Sequence, residues 1–341
     1  MKKSIFNKRE DSEVAVYQAM GSLNENEAKA ATQQFAQALE LPLRQAIFDC
    51  DNVGPFGIFE PMDFRNARCV EFPLDPIQPG SENDFTAYAI PDCAQLPCVM
   101  LEGDYVTVPT YMLGNCVEWC LKRVRDANFN ILDRAAEAFR AGFTKKMNDD
   151  AWHVILGAAL DRNVIVYDSN AATGQFTKRL VTLAKTVMRR NGGGNSTCLN
   201  RARLTDLFMS PEAMDDIFNW NVDQIDEITR REIYTNGQSD CDRGLTNLFC
   251  VNFHILDELG AGQEYQLYYE NELGGTMPAG DQELVIGLDL SRRDSFVAPV
   301  REELQVFDDI TAHKQMKGGI YGWWEGGFSV LSSLRVLALS I

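Results

Sequence analysis

Residues 192–197, Gly-Gly-Gly-Asn-Ser-Thr, come nearest to a phosphate-cradling loop, because successive glycines let backbone N–H groups converge on an anion. They lack the lysine and the downstream helix that such a loop needs, and a glycine turn ending the preceding helix explains them better. Asn195-Ser196-Thr197 also has the pattern of a glycosylation acceptor, which matters only in an exported chain. Ser210 precedes Pro211 and reads as a helix cap rather than a nucleophile, and no Gly-x-Ser-x-Gly elbow occurs. General acid–base work needs two carboxylates facing one another. The pairs Asp149/Asp150, Asp215/Asp216 and Asp308/Asp309 are adjacent in sequence, and adjacent residues on a helix or strand point apart. His153, His254 and His313 are scattered singly, and neither Cys116/Cys120 nor Cys93/Cys98 has the paired spacing of a structural zinc site. Nine cysteines in a large chain without an export signal read as free, mostly buried thiols. The expectation is no catalytic, cofactor-binding or metal site, and a protein that is not an enzyme.

Around these residues the longest helical pattern covers residues 115–147. Val117, Leu121, Val124, Leu132, Ala135, Phe139, Phe143 and Met147 recur there at steps of three or four, with a polar break at Asn128. At about 1.5 Å per residue that helix would reach about 50 Å. A strut of that length suits a flat or elongated building block better than a compact enzyme. Asn148 or Asp149 then offers a cap for a second short helix, and residues 163–169 read as extended. Residues 176–194 form another amphipathic helix, with Leu180, Leu183, Val187 and Met188 on one side and Gly192 as its stop. A buried strand runs into Ser210, an N-cap, with Pro211 at the first helical position. Strands are expected at 248–256, 264–272 and 282–290, and an extended or mixed segment at 296–310. Trp323 and Trp324, set among glycines, read as packing residues at a bend. The chain then alternates through Phe328, Val330, Leu334, Val336 and Leu339, which ties its C-terminus into a sheet.

Residues 1–50 begin with a basic tip, Lys2, Lys3, Lys8 and Arg9, and continue with weak helical spacing rich in alanine, glutamine and glutamate. Two readings fit this arm: a surface helical hairpin, or an arm packed on a neighbouring subunit. Residues 51–110 hold eight of the twelve prolines, and two extended runs at 67–74 and 84–91 flank a turn-rich segment. Prolines at that density do not fit central strands, so this is a projecting irregular β-hairpin with free edges, and a partner is the usual cover for such a loop.

A formal net charge of −17 argues against a grip on nucleic acid over the whole surface. The sequence has no secretory start and no apolar run near the roughly 20 residues of a membrane span, so synthesis in a cytoplasm is expected. Against the acidic background, residues 169–205 carry Lys178, Arg179, Lys185, Arg189, Arg190, Arg201 and Arg203 and no acidic residue. Either this is a solvated helix face paired with acidic neighbours, or it contacts an acidic partner subunit or packaged DNA.

The order of arm, proline-rich hairpin, long helix, α/β region and glycine-aromatic C-terminal strand resembles the major capsid protein of tailed bacteriophages, the Hong Kong 97-type fold. The likeness is carried by DYVTVPTYMLGN leading into the helix, LFMSPEAMDDI in the α/β region, and HKQMKGGIYGWWEGGFSVLSSLRVLALSI at the end. The resemblance implies an α+β fold. It divides the chain into an N-terminal arm (1–50), an extended loop (51–110), a peripheral domain with a spine helix (111–160), an axial domain (161–310) and a C-terminal strand returning to the peripheral domain (311–341). It implies a virion shell protein, assembled in the host cytoplasm into pentamers and hexamers around double-stranded DNA. Expected partners are other copies of the chain, a separate scaffolding protein, a portal and a decoration protein, with no membrane. A scaffolding segment at the N-terminus is not expected in fifty residues. Some members crosslink a hairpin lysine to an asparagine, but residues 51–110 contain no lysine, so no such crosslink is expected. The competing readings are an encapsulin-type compartment shell and, in a different class, a cytoplasmic enzyme with an unrecognised site.

Overall fold

The computed structural model describes residues 25–48, 54–65, 69–73, 105–120, 122, 130–172, 174–190, 202–220, 246–278, 283–291, 293–309 and 316–341. Helix α1 (Glu25–Phe48) and the single turn α2 (Pro55–Ile58) lead into β1 (Glu60–Asp63). Strands β2 (Glu71–Pro73) and β3 (Tyr105–Thr107) pair antiparallel as a separate ribbon. Strand β4 (Tyr111–Cys120), helix α3 (Asn130–Asp161), β5 (Ile165–Val166) and α4 (Lys178–Arg190) follow. Next come β6 (Asp206–Met209), α5 (Pro211–Asn219), β7 (Thr246–Leu248), β8 (Val251–Ile255) and α6 (Glu264–Leu267), which continues as a π-helical turn over Tyr268–Glu272. The chain closes with β9 (Leu284–Leu288), β10 (Phe296–Asp308), β11 (Lys317–Gly326), β12 (Ser329–Val330) and β13 (Val336–Ser340).

These strands make two main sheets. The first has the order β1-β10-β11-β4, with β12 added to the start of β10, and β4 and β11 stay in register over ten consecutive pairs. The second has the order β5-β13-β9-β6-β8-β7. Its central strands are buried on both faces. In β13, Val336 and Ala338 face α3, whereas Leu337 and Leu339 face the layer of α4 and α5; in β6, Phe208 faces α3 and Leu207 and Met209 the other side. A period of two with both faces apolar reads in sequence as one continuous apolar run, which is how 336–340 and 206–209 look.

Helix α3 joins the two sheets. Phe139 and Phe143 in its first half belong to the same core as Leu304, Ile320 and Trp324 of the first sheet. Trp152, Ile155 and Leu156 in its second half share that core with Phe208, Ile286 and Ala338 of the second. The Trp152 ring meets Phe208 edge-on at 5.0 Å and stacks on Tyr265 at 6.0 Å. Gly322 lets the helix approach closely, because a Cβ there would lie 2.5 Å from the Gln305 carbonyl and 3.0 Å from Phe139.

The long helix is therefore present but displaced from residues 115–147. Residues 111–120 are a strand, and α3 runs without a break through Asn148 and Asp149, where a cap was expected. The apolar positions 113, 117 and 119 also satisfy period two. Leu113 and Val117 pack on the core and Trp119 is buried, while Met112, Gly114, Cys116, Glu118 and Cys120 are exposed on the other face. Asn148 and Asp149 stay helical because Phe143, Met147, Ala151 and Trp152 form one buried stripe on either side of them, and that burial outweighs a local capping preference.

Other expectations also shift. Residues 264–272 are helical rather than a strand, since Tyr265 and Tyr269 are both buried while Leu267 between them is exposed. The run 248–256 is split by a tight turn at Phe249 and Cys250, whose φ values of 54° and 60° are left-handed. Trp323 and Trp324 lie inside β11, not at a bend. Residues 311–341 do not return as one strand: β11 joins the first sheet and β13 the centre of the second. Likewise β10, within the stretch assigned to the axial domain, lies in the first sheet. The strand-to-cap junction at Ser210 stands as read, with the Ala213 N–H donating to Ser210 Oγ at 3.0 Å. Of the thiols expected to be free and mostly buried, Cys69, Cys116, Cys120 and Cys250 are free and exposed, and the other five lie outside the described residues. The run 84–91 and the tip at residues 2–9 lie outside the described residues, whereas α1 packs Ala31, Phe35 and Ala36 into its own chain's core.

Truncating Trp152 to alanine removes the contact of α3 with Phe208 and Tyr265 and should cost about 3–5 kcal/mol, read as a lower urea midpoint. Replacing Cys250 by glycine relieves a left-handed residue and should raise stability by about 1 kcal/mol, read as a higher melting temperature.

Candidate functional site

The basic stretch sits on and after α4. Leu180, Val181, Ala184 and Met188 bury one face of this helix, which turns its cations outward. Lys178 and Lys185 are both committed to the β7–β8 turn. The Lys178 ammonium lies 5.2 Å from the Phe249 ring centre, and Lys185 donates to the Phe249 carbonyl at 2.5 Å. They hold a strained turn in place. Arg179 lies 3.5 Å from Asp168, a buried carboxylate that also accepts from Thr177. Arg189 and Arg190 are exposed in the last helical turn, where positive charge suits the helix dipole. The Arg203 side chain is exposed, with its backbone N–H bound to Asp289 at 2.9 Å. Arg201 lies outside the described residues. Among the six described cations, Lys178, Arg179 and Lys185 thus have side-chain contacts within their own chain.

Three buried polar groupings were not singled out from the sequence. Asp206 receives His254 Nε2 at 2.8 Å and Asn252 at 3.1 Å; these hydrogen bonds outweigh the opposing effect of burial and hold its carboxyl below the usual range. His254 is nearly buried and stacks on Phe208 at 4.7 Å. Arg335 forms a buried ion pair with Asp289, which also accepts from Ser291 and from the Arg203 backbone. Glu283 accepts from Ser210 Oγ at 2.5 Å; burial first, and then the charges of Glu212 and Asp216, push its carboxyl up. Each binds one strand end to another: Asp206 with β8, Asp289 with β13, and Glu283 with the start of α5. Charged residues inside apolar runs, such as Arg335 in 334–339, are the sequence signal for such pairings. The arrangement is structural, since each carboxylate is occupied by donors of the same chain.

The exposed face of the first sheet differs in character. Phe307 stacks on Trp323 at 4.7 Å and on Tyr321 at 5.7 Å, with Trp323 donating to Glu302 at 3.1 Å. Met112 is 62% exposed on the same sheet, so an apolar aromatic surface faces outward. No group of three or more His, Cys, Asp or Glu that could hold a metal occurs among the described residues, and no helix there is long and apolar enough to cross a membrane.

No family model matches the chain, and no curated protein matches it in sequence. Solved structures do. A chain from the cyanophage Pam1 capsid asymmetric unit superposes with a TM-score of 0.56 at 12% identity, covering 87% of this chain and 91% of that one. A chain from the capsid of a native GTA particle gives 0.53 at 13% identity, covering 86% and 91%. A chain of Mycobacterium phage Bobi gives 0.52 at 12% identity, covering 83% and 88%. The fold is that of these phage and GTA capsid chains, spanning nearly their whole length, and the mixed helix-and-sheet class expected from the Hong Kong 97-type resemblance agrees with it.

A carboxyl whose ordinary value is 4.5 and which folding raises contributes its stability below that value and loses it as pH climbs through the folded value. Glu283→Gln keeps an acceptor for Ser210 without the charge. Its stability relative to the parent should therefore rise as pH climbs above 4.5 in urea titrations; a constant difference would contradict the assignment.

Proposed function

We propose that the chain is a major capsid protein of a tailed-phage head, a structural subunit that self-assembles rather than turns over a substrate. The observation that carries this reading is the match of fold over nearly the full length of capsid chains at TM-scores above 0.5. In this reading the β2–β3 ribbon is the base of the extended loop, and the first sheet with α3 is the peripheral part. The second sheet with α4 and α5 is the axial part. The subunits form pentamers and hexamers of an icosahedral shell around double-stranded DNA, in which many weak identical contacts sum to a stable particle. Other partners would be a separate scaffolding protein, a portal and a decoration protein. The charge of −17 supports weak, non-specific contact with the packaged genome rather than a tight grip.

Size-exclusion chromatography with negative-stain microscopy tests this directly. Closed particles are expected, and a stable monomer or dimer under all conditions would overturn it. Without a lysine in residues 51–110, purified particles should dissolve in hot SDS to single chains, with no ladder. Converting Arg189 and Arg190 to alanine should leave the fold intact; a fall in particle yield or DNA content marks these two as the contact residues of the basic stretch.

A further inference from the structure

Helix α6 is a single turn, Glu264–Leu267, and its π-helical continuation covers Tyr268–Glu272. A helix this short does not hold itself, so side-chain contacts with α3 decide where it lies. Tyr265 stacks on Trp152 at 6.0 Å and donates from its hydroxyl to Asp149 at 3.2 Å. The Tyr268 ring lies flat on the His153 imidazole, with centres 3.7 Å apart and planes at 15°. Tyr265 also meets His153 edge-on at 6.1 Å. His153 thus lies against both tyrosines, and Asp149 stands one helical turn before it on the same face of α3.

The charge of His153 is the variable part of this arrangement. Among the described residues, Lys146, Asp149 and Asp150 of α3 and Glu264 of α6 face the ring. Burial disfavours the charged imidazole and outweighs the three carboxylates, so the base is held below its ordinary value of 6.5, with Lys146 acting in the same direction. Those carboxylates are already engaged: Asp149 by Tyr265, Asp150 by Lys146 at 2.6 Å and by Tyr111 at 2.8 Å, and Glu264 by Lys145 at 3.9 Å. A base lowered in this way contributes stability that is complete above 6.5 and is lost as pH falls from there through the folded value. Burial first, and then the charges of Asp149, Glu258 and Glu264, push the Tyr265 phenol up, so it stays a donor throughout that fall.

We propose that the stack of His153 on Tyr268 is an acid-released latch. With a neutral ring it holds α6 and the π-helical turn on α3. A proton on the ring places an imidazolium one turn from Asp149, draws that carboxylate along its own helix and away from the Tyr265 hydroxyl, and lets residues 264–272 open. The opening reaches the start of β9, because Gln266 Oε1 accepts from the Leu284 N–H at 3.3 Å. The bond from Tyr111 to Asp150 leaves α3 tied to the first sheet meanwhile. The latch lies within one chain and does not depend on the assembly reading.

Hydrogen exchange read by mass spectrometry on the full-length chain tests this, with protection compared at about pH 7.5 and about pH 5.5 after correction for the pH dependence of intrinsic exchange. In the parent, protection of residues 264–272 should fall at least about threefold more than that of β6 and β13. His153→Phe keeps the stack without the titration and should show no such fall, and His153→Gln gives the same reading without a second large ring. Asp149→Asn keeps an acceptor for Tyr265 without the charge, so its fall should be smaller than the parent's. The raised carboxyl of Glu283, next to Leu284, responds to pH in parent and variants alike, and the comparison between them isolates His153. No local fall in the parent, an equal fall in either His153 variant, or an undiminished fall in Asp149→Asn would overturn the proposal. Particle formation has no part in the reading, so a chain that fails to assemble still decides it.

Discussion

The structure depends on one packing constraint: helix α3 must bury a single stripe against two different sheets. Its first half rests on the first sheet through Phe139 and Phe143, and its second half on the second through Trp152, Ile155 and Leu156. A helix of 32 residues spans about 48 Å at 1.5 Å per residue, longer than either sheet needs for itself. The buried stripe holds it helical through Asn148, Asp149 and Asp150, and the two carboxylates there are taken up locally. Asp150 accepts from Lys146 at 2.6 Å and from Tyr111 at 2.8 Å, and Asp149 from Tyr265 at 3.2 Å. Those bonds tie the helix to the start of β4 on one side and to α6 on the other.

From that constraint follows an uneven distribution of surface. The second sheet is covered on both faces, by α3 and by α4 with α5, and its buried charges serve to join strand ends. Among the described residues the first sheet is covered on one face, which leaves the ladder of Phe307, Tyr321 and Trp323 outward and the late part of β10 beside a groove. An outward apolar aromatic face is the kind of surface that other protein surfaces cover. Within the basic stretch, Lys178 and Lys185 contact the Phe249–Cys250 turn and Arg179 lies beside Asp168.

The elements legible in the sequence were those whose local pattern and burial agree. The amphipathic stripe of α4, the Ser210-Pro211 cap and the apolar run of β13 each have a local signal that tertiary packing reinforces. The misplaced ones had two admissible periods. Residues 111–120 fit steps of three or four and also of two, and only the ten-residue register with β11 decides for a strand. Tyr265 and Tyr269 fit a strand by composition, but both rings are buried while Leu267 between them is exposed, which a helix provides and a strand, with 265, 267 and 269 on one face, does not. No sequence spacing could have joined Asp206 to His254 or Asp289 to Arg335, which lie 48 and 46 residues apart.

The sequence by itself determined the composition of the layers: acidic surface, apolar strands, a long amphipathic helix and a proline-rich projection, and their order sufficed to suggest a shell subunit. Only the tertiary structure decided where that helix begins, which sheet each C-terminal strand joins and which charges are already occupied. The physical reason is that period and propensity act over a few residues, whereas the choice between competing periods is made by burial against partners far away in the chain. The α3 stripe, shared between two sheets, is where that choice is made.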